Sequence, residues 1–195
     1  TGLILHASDA DVVGPGRGRI LENIDPLTTV ITPVSASGFS YFEVTGLTYE
    51  GSGNFFAGDV EDVLLRISST GVVSQIGEID HGATGLAFVG GTLYSVSRDS
   101  NLRIVDAATG ATTGSLTITI AGNPISSATA LAADPATGQL FAVLKTGSSR
   151  SLATIDPTTG IATIVGNFGN LRFAGLAFVG SSADSTPPVI HDVSA

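Results

Sequence analysis

Gly85-Leu86-Ala87-Phe88-Val89, then Gly91-Thr92-Leu93-Tyr94-Ser95-Val96, then Leu102-Arg103-Ile104-Val105-Asp106, then the run from Ala111 to Ile120, is the stretch that decides the architecture. Each piece is short, rich in apolar and β-branched residues, and bounded by Gly, Asp or Ser. Runs of this length and punctuation read as four successive strands.

The phrase recurs about every 40 to 50 residues. Its first strand reappears as Thr45-Gly46-Leu47-Thr48-Tyr49, Thr129-Ala130-Leu131-Ala132-Ala133 and Ala174-Gly175-Leu176-Ala177-Phe178. The second reappears at Asn54 to Ala57 and Gln139 to Ala142, the third before Asp25 and Asp156, and the fourth at Val30 to Val34, Val72 to Ile76 and Ile161 to Val165. A four-strand unit at this period predicts an all-β fold, a β-propeller with four antiparallel strands per blade.

The two ends complement each other. The inner strand around Leu176 has no second strand after it, whereas Gly2-Leu3-Ile4-Leu5-His6-Ala7-Ser8 matches the second strand at 91–97. The N-terminal strands are therefore expected to pair with the C-terminal inner strand, closing a ring of four blades and removing its open edge. Leu86, Phe88, Leu131, Leu176 and Phe178 are expected between blades. The propeller takes residues 1–180, and 181–195 form a Pro-containing linker or tail.

Composition narrows the setting. The chain has no Cys, so it has no disulfide or thiolate metal site. Charged residues make up 13% and the net charge is −9, which argues against nucleic acid and anionic membrane as partners, and no apolar run reaches membrane-spanning length, so no membrane insertion is expected. A single Lys, with abundant Ser, Thr and Gly, suits an extracellular or cell-surface protein. With Thr1 in place of an initiator Met and no signal peptide in view, the chain reads as a mature or excised product.

Asp106-Ala107-Ala108-Thr109-Gly110 and Asp156-Pro157-Thr158-Thr159-Gly160 are turn chemistry, and Asp25-Pro26 repeats it. Together with Leu152-Ala153-Thr154-Ile155 and Gly85-Leu86-Ala87-Phe88, they resemble secreted bacterial propellers of the YVTN and NHL-like kind, over about residues 2–180. The resemblance implies blade architecture and a binding or scaffold role, although some enzymes share the fold. The tail, residues 181–195, resembles the first strand of a fibronectin type III or immunoglobulin-like module.

No catalytic motif stands out. Asp9, Asp11, Asp59, Glu61, Asp62 and Asp99 fall in loops that share one face of such a propeller. They read first as a solvated acidic rim and second as a Ca²⁺ site on Asp9, Asp11, Asp59 and Asp62; no other cofactor is expected. Arg17, Arg98 and Arg172 lie near the same face. Asp80-His81, in a crossover, reads as a surface pair, or else as an imidazole oriented for general-base work. Phe39 and Tyr41 cover a blade or meet a partner. Pro187, Pro188, Val189 and Ile190 form an extended segment able to add to a strand edge.

The resulting expectation is a non-enzymatic structural or interaction module, a subunit of a surface assembly or filament. Its partners would be copies of itself or surface proteins, with a glycan as a further candidate. A carbohydrate- or cation-binding propeller and a propeller hydrolase or lyase are the alternatives.

Overall fold

A computed structural model of the protein describes residues 5–8, 21–24, 28, 30–33, 44–51, 53–59, 61–172 and 175–177. Among them every regular element is a strand. A three-stranded antiparallel sheet comes first, made of β1 (Leu5–Ser8), β2 (Leu21–Ile24) and β3 (Ile31–Pro33). A four-stranded sheet follows, with β4 (Val44–Gly51), β5 (Asn54–Asp59), β6 (Val63–Ile67) and β7 (Val73–Glu78). The next comprises β8 (Gly85–Val89), β9 (Thr92–Val96), β10 (Asn101–Val105) and β11 (Thr112–Thr117). A small hairpin, β12 (Thr119–Ile120) and β13 (Asn123–Pro124), precedes the last sheet of β14 (Ser127–Ala133), β15 (Leu140–Thr146), β16 (Ser149–Ile155) and β17 (Ala162–Gly169).

Each large sheet is a simple meander, with strands paired in chain order. Burial grades across it. β5 is buried along nearly its whole length, while β17 is mostly exposed. A middle strand covered on both faces needs apolar residues in succession, which Phe55, Phe56 and Ala57 provide.

Alternate residues of the middle strands serve opposite neighbours. Phe56 and Leu64 pack with Leu86, Leu93 and Val105 of the following sheet. Phe55, Ala57, Leu65 and Ile67 form a separate buried cluster on the other face. The β8–β11 and β14–β17 sheets share a third cluster, in which Leu102, Leu131, Leu140 and Ile155 are each at most 3% exposed. Burying each such side chain stabilises the fold by roughly 1.5–3 kcal/mol.

Neighbouring sheets also touch through main chain. A Cβ placed on Gly85 of β8 would lie 2.5 Å from the Leu131 nitrogen of β14. The Asp106–Gly110 turn rests on the end of β7, where a Cβ on Gly77 would lie 2.0 Å from the Thr109 oxygen. The Asp156–Gly160 turn rests on β11 in the same way, 2.5 Å separating a Gly160 Cβ from the Thr117 oxygen. Gly160 has a φ of 73°, which also excludes most other residues.

The run from Ala111 to Ile120, read as one strand, is divided. β11 stops at Thr117, and Thr119–Ile120 turns back on Asn123–Pro124 through Ala121 and Gly122, both at positive φ. Ile118 and Ile125 anchor the hairpin in the core, and the Thr119 amide donates to the Gly160 carbonyl at 3.1 Å.

Leu86 and Leu131 are buried as expected; Phe88 and Leu176 are half-buried, and Phe178 lies outside the described residues. Among the described residues, β1 pairs with β2 alone, and 175–177 take part in no strand pairing.

Candidate functional site

The inner strands β4, β8 and β14 pack side by side, and residues 175–177 join them. Two cavities lie along this convergence. The smaller, about 200 Å³, is lined by Leu47, Leu86, Leu131 and Leu176, the four positions that the repeat aligns. The larger, about 770 Å³, is lined two residues earlier by Thr45, Thr84 and Thr129, and by Gly175. One equivalent position from each of four repeats thus faces the smaller cavity, and one from each of three repeats faces the larger, with Gly175 one residue before Leu176 beside them.

Hydroxyls at the larger cavity tie neighbouring sheets together. Thr45 Oγ1 donates to the Ala83 carbonyl at 2.6 Å, and Thr84 Oγ1 approaches the Ala128 carbonyl at 3.3 Å. Each proton is committed to main chain, so these two oxygens turn lone pairs to the cavity.

Charge is the dominant property of this mouth. Arg98, Lys145, Arg150 and Arg172 line it, and no Asp or Glu does so among the described residues. They are half of the chain's eight Lys and Arg. None has an ion-pair partner among the described residues, whereas Arg66 pairs with Glu50 and Arg103 with Asp99. Lys145 on β15 stands directly opposite Arg150 on β16. Like charges facing each other across strands are unfavourable unless something neutralises them.

The acidic residues of the same loops are directed elsewhere. Asp59 is buried, its Oδ1 accepting from the amides of Glu61 and Val63 at 2.9 Å each. Asp62 is exposed at a φ of 62°. Burial raises the pKa of Asp99, but hydrogen bonds from Arg103 and Asn101 outweigh this and hold the carboxyl below the ordinary range. Among the described residues no three His, Asp or Glu gather in a metal-binding group. Asp9, Asp11, Phe39, Tyr41, Pro187, Pro188, Val189 and Ile190 lie outside the described residues.

Asp80-His81 departs from the surface pair expected. His81 is 8% exposed; its Nδ1 lies 2.8 Å from Asp80 Oδ1 and its Nε2 2.5 Å from Ser95 Oγ. A carboxylate only accepts, so Nδ1–H donates to Asp80, and the Ser95 hydroxyl donates to Nε2. These are the partners of a nucleophilic triad. Ser95 is completely buried, however, and presents no oxygen to a substrate. The group acts as a clamp, because Thr112 Oγ1 on β11 also donates to Asp80 Oδ1 at 2.6 Å. Crossover, second strand and outer strand are thereby joined.

Burial pushes the His81 pKa below its ordinary 6.5, against the pull of Asp80. The unfolded chain therefore takes up a proton near that pH while the folded chain does not. Stability must fall as pH drops below about 6.5. Melting temperatures between pH 7.5 and 5 should show this decline, and His81→Gln should flatten it. An unchanged slope in the variant would exclude the clamp as its source.

No family model matches the chain, and no curated protein matches its sequence. Solved structures do match its fold. The glutaminyl cyclase of Myxococcus xanthus superposes with a TM-score of 0.59 at 16% identity, over 84% of this chain and 78% of that one. The hydrazine synthase of Kuenenia stuttgartiensis gives 0.49 at 14% identity, over 76% of this chain and 42% of that one. The chain is thus an all-β, propeller-like protein.

The expectation of a non-enzymatic module is corrected by this likeness, since the cyclase is an enzyme on the same fold. The physical reason is plain. A propeller gathers side chains from separate loops at its faces, so a linear sequence without a catalytic motif does not tell an enzyme from a binding module.

Proposed function

We propose that the chain forms a closed four-bladed propeller and binds an anionic ligand at its axial mouth. One observation carries the binding reading: four cationic side chains converge on one cavity with no acidic residue among the described residues that line it, in a protein of net charge −9. Opposed cations with no ion-pair partner among the described residues favour an anion between them. A cavity of about 770 Å³ falls within the range of small-molecule sites, roughly 300–1,000 Å³. The reading concerns recognition and leaves open whether the bound ligand is also transformed.

Closure of the ring is supported by the four Leu that share one cavity and by the buried face of Phe55, Ala57, Leu65 and Ile67. That face lies away from the β8–β11 sheet and requires cover. The β1–β3 sheet is its neighbour in chain order and has three strands among the described residues, against four in each large sheet. The low share of charged residues, 13%, keeps a secreted or surface setting as part of the proposal. No helix among the described residues is long and apolar enough to cross a membrane.

Thermal melting in a panel of sodium salts tests the mouth. Phosphate, sulfate or a carboxylate should raise the melting temperature above that in chloride of equal ionic strength, because a ligand of the folded state stabilises it by mass action. The double variant Arg98→Ala, Arg150→Ala should lose the response, whereas Arg66→Ala should keep it. Equal shifts in all three proteins would refute binding at this mouth.

A further inference from the structure

Resting on that reading, we infer that the ligand of the mouth is a compact, multiply charged oxyanion, a small oligocarboxylate or oligophosphate. Three features of the site select it. Four cations are too many for one carboxylate, which would leave most of their mutual repulsion in place. Three of the four are Arg, whose planar fork donates two parallel hydrogen bonds to a carboxylate or phosphoryl group. Lys145 and Arg150, opposed across β15 and β16, hold two of the charges at neighbouring positions, so adjacent anionic groups on one molecule would meet both.

The surroundings limit its length. Along the inner strands the next level is the Leu47, Leu86, Leu131 and Leu176 collar, where an ionised group would lose its hydration with nothing to replace it. The charged groups therefore stop at the Thr level. The chain as a whole is acidic, with a net charge of −9. Exposed Glu61 and Asp62 follow Asp59 in one of the loops. A long polyanion leaving the mouth would enter a repulsive field. Thr45 and Thr84 offer lone pairs only, so a hydroxyl on the same ligand would find its acceptor there.

Isothermal titration calorimetry with acetate, citrate, pyrophosphate and long poly-L-glutamate tests the inference on the full chain, at low and at physiological ionic strength. Citrate, pyrophosphate or both should bind one to one and at least about tenfold more tightly than acetate. Binding should weaken with salt. Arg150→Ala and, separately, the exposed Arg98→Ala should each weaken it on the order of tenfold, with melting temperatures close to that of the parent. Tight citrate with weak pyrophosphate would assign carboxylates, and the converse phosphoryl groups; either supports the inference. Acetate binding as tightly as citrate would overturn the multiple charge. Poly-L-glutamate binding far more tightly than both small anions would overturn compactness while the anionic mouth stood. Heat from none of the four would overturn the anionic mouth itself.

Discussion

Replacing Gly85 by Val is expected to lower the melting temperature by about 10 °C. Gly85 sits where β8 crosses closest to β14. Its missing Cβ would stand 2.5 Å from the Leu131 nitrogen and 2.9 Å from the Ala130 carbonyl carbon. Both are main-chain atoms of the next sheet, so no rotamer change relieves the clash and the sheets must separate. Forcing a branched side chain into such a contact costs on the order of 3 kcal/mol. For a chain of this size each kcal/mol shifts the midpoint by roughly 2–4 °C. Gly166 on β17 is the matched control, since a Cβ there meets nothing within 4 Å. Gly166→Val should shift the melting temperature by a degree or two. Similar losses at both glycines would show that close approach of the inner strands does not limit stability.

A chain lacking residues 1–33 is expected to lose cooperative melting altogether. The truncation removes β1, β2 and β3. If that sheet covers the cluster of Phe55, Ala57, Leu65 and Ile67, its removal exposes four side chains that are now at most 5% exposed. Exposing such side chains costs roughly 1.5–3 kcal/mol for each large one, which approaches the whole stability of an ordinary domain, about 5–15 kcal/mol. Melting followed by circular dichroism, with light scattering to give the mass, measures the outcome. A full-length monomer beside a truncated chain with no transition supports closure within one chain. A full-length dimer would point to exchange of these strands between subunits. A truncated monomer that melts with the full-length protein would refute the closing role.

The blade was legible because it is a local pattern. Strands such as 92–96 and 101–105 follow from β-branched runs between Gly, Asp and Ser, and aligning Leu47, Leu86, Leu131 and Leu176 shows which residues share a level. The division near Thr117 was not legible. A Thr- and Ile-rich run suits one strand, and only the small Ala121-Gly122 pair hints at a turn. His81 misled for a related reason. A polar residue beside Asp in a crossover reads as exposed, and its burial depends on Ser95 of β9 and Thr112 of β11, both distant in sequence.

The mouth was half legible. The sequence places Arg98 and Arg172 near one face, beside loop acids whose own partners it does not show. Lys145 and Arg150 flank the turn from second to third strand in the last sheet, the position that Arg98 approaches in the sheet before it. That shared frame position was the available signal. Nothing in the sequence showed that Asp59 and Asp99 would turn their oxygens to nearby amides and to Arg103, leaving the four cations of the mouth without an ion-pair partner among the described residues.

The turns that rest on the preceding sheet meet it through peptide atoms, Thr109 against Gly77 and Gly160 against Thr117. A joint made of main chain is indifferent to most side chains around it. Provided the glycines stay, the surfaces flanking each joint are free to drift, and one blade can diverge from its siblings without ceasing to stack on them. Kinship among the repeats is thus stored in spacing and in a few glycines more than in residue identity.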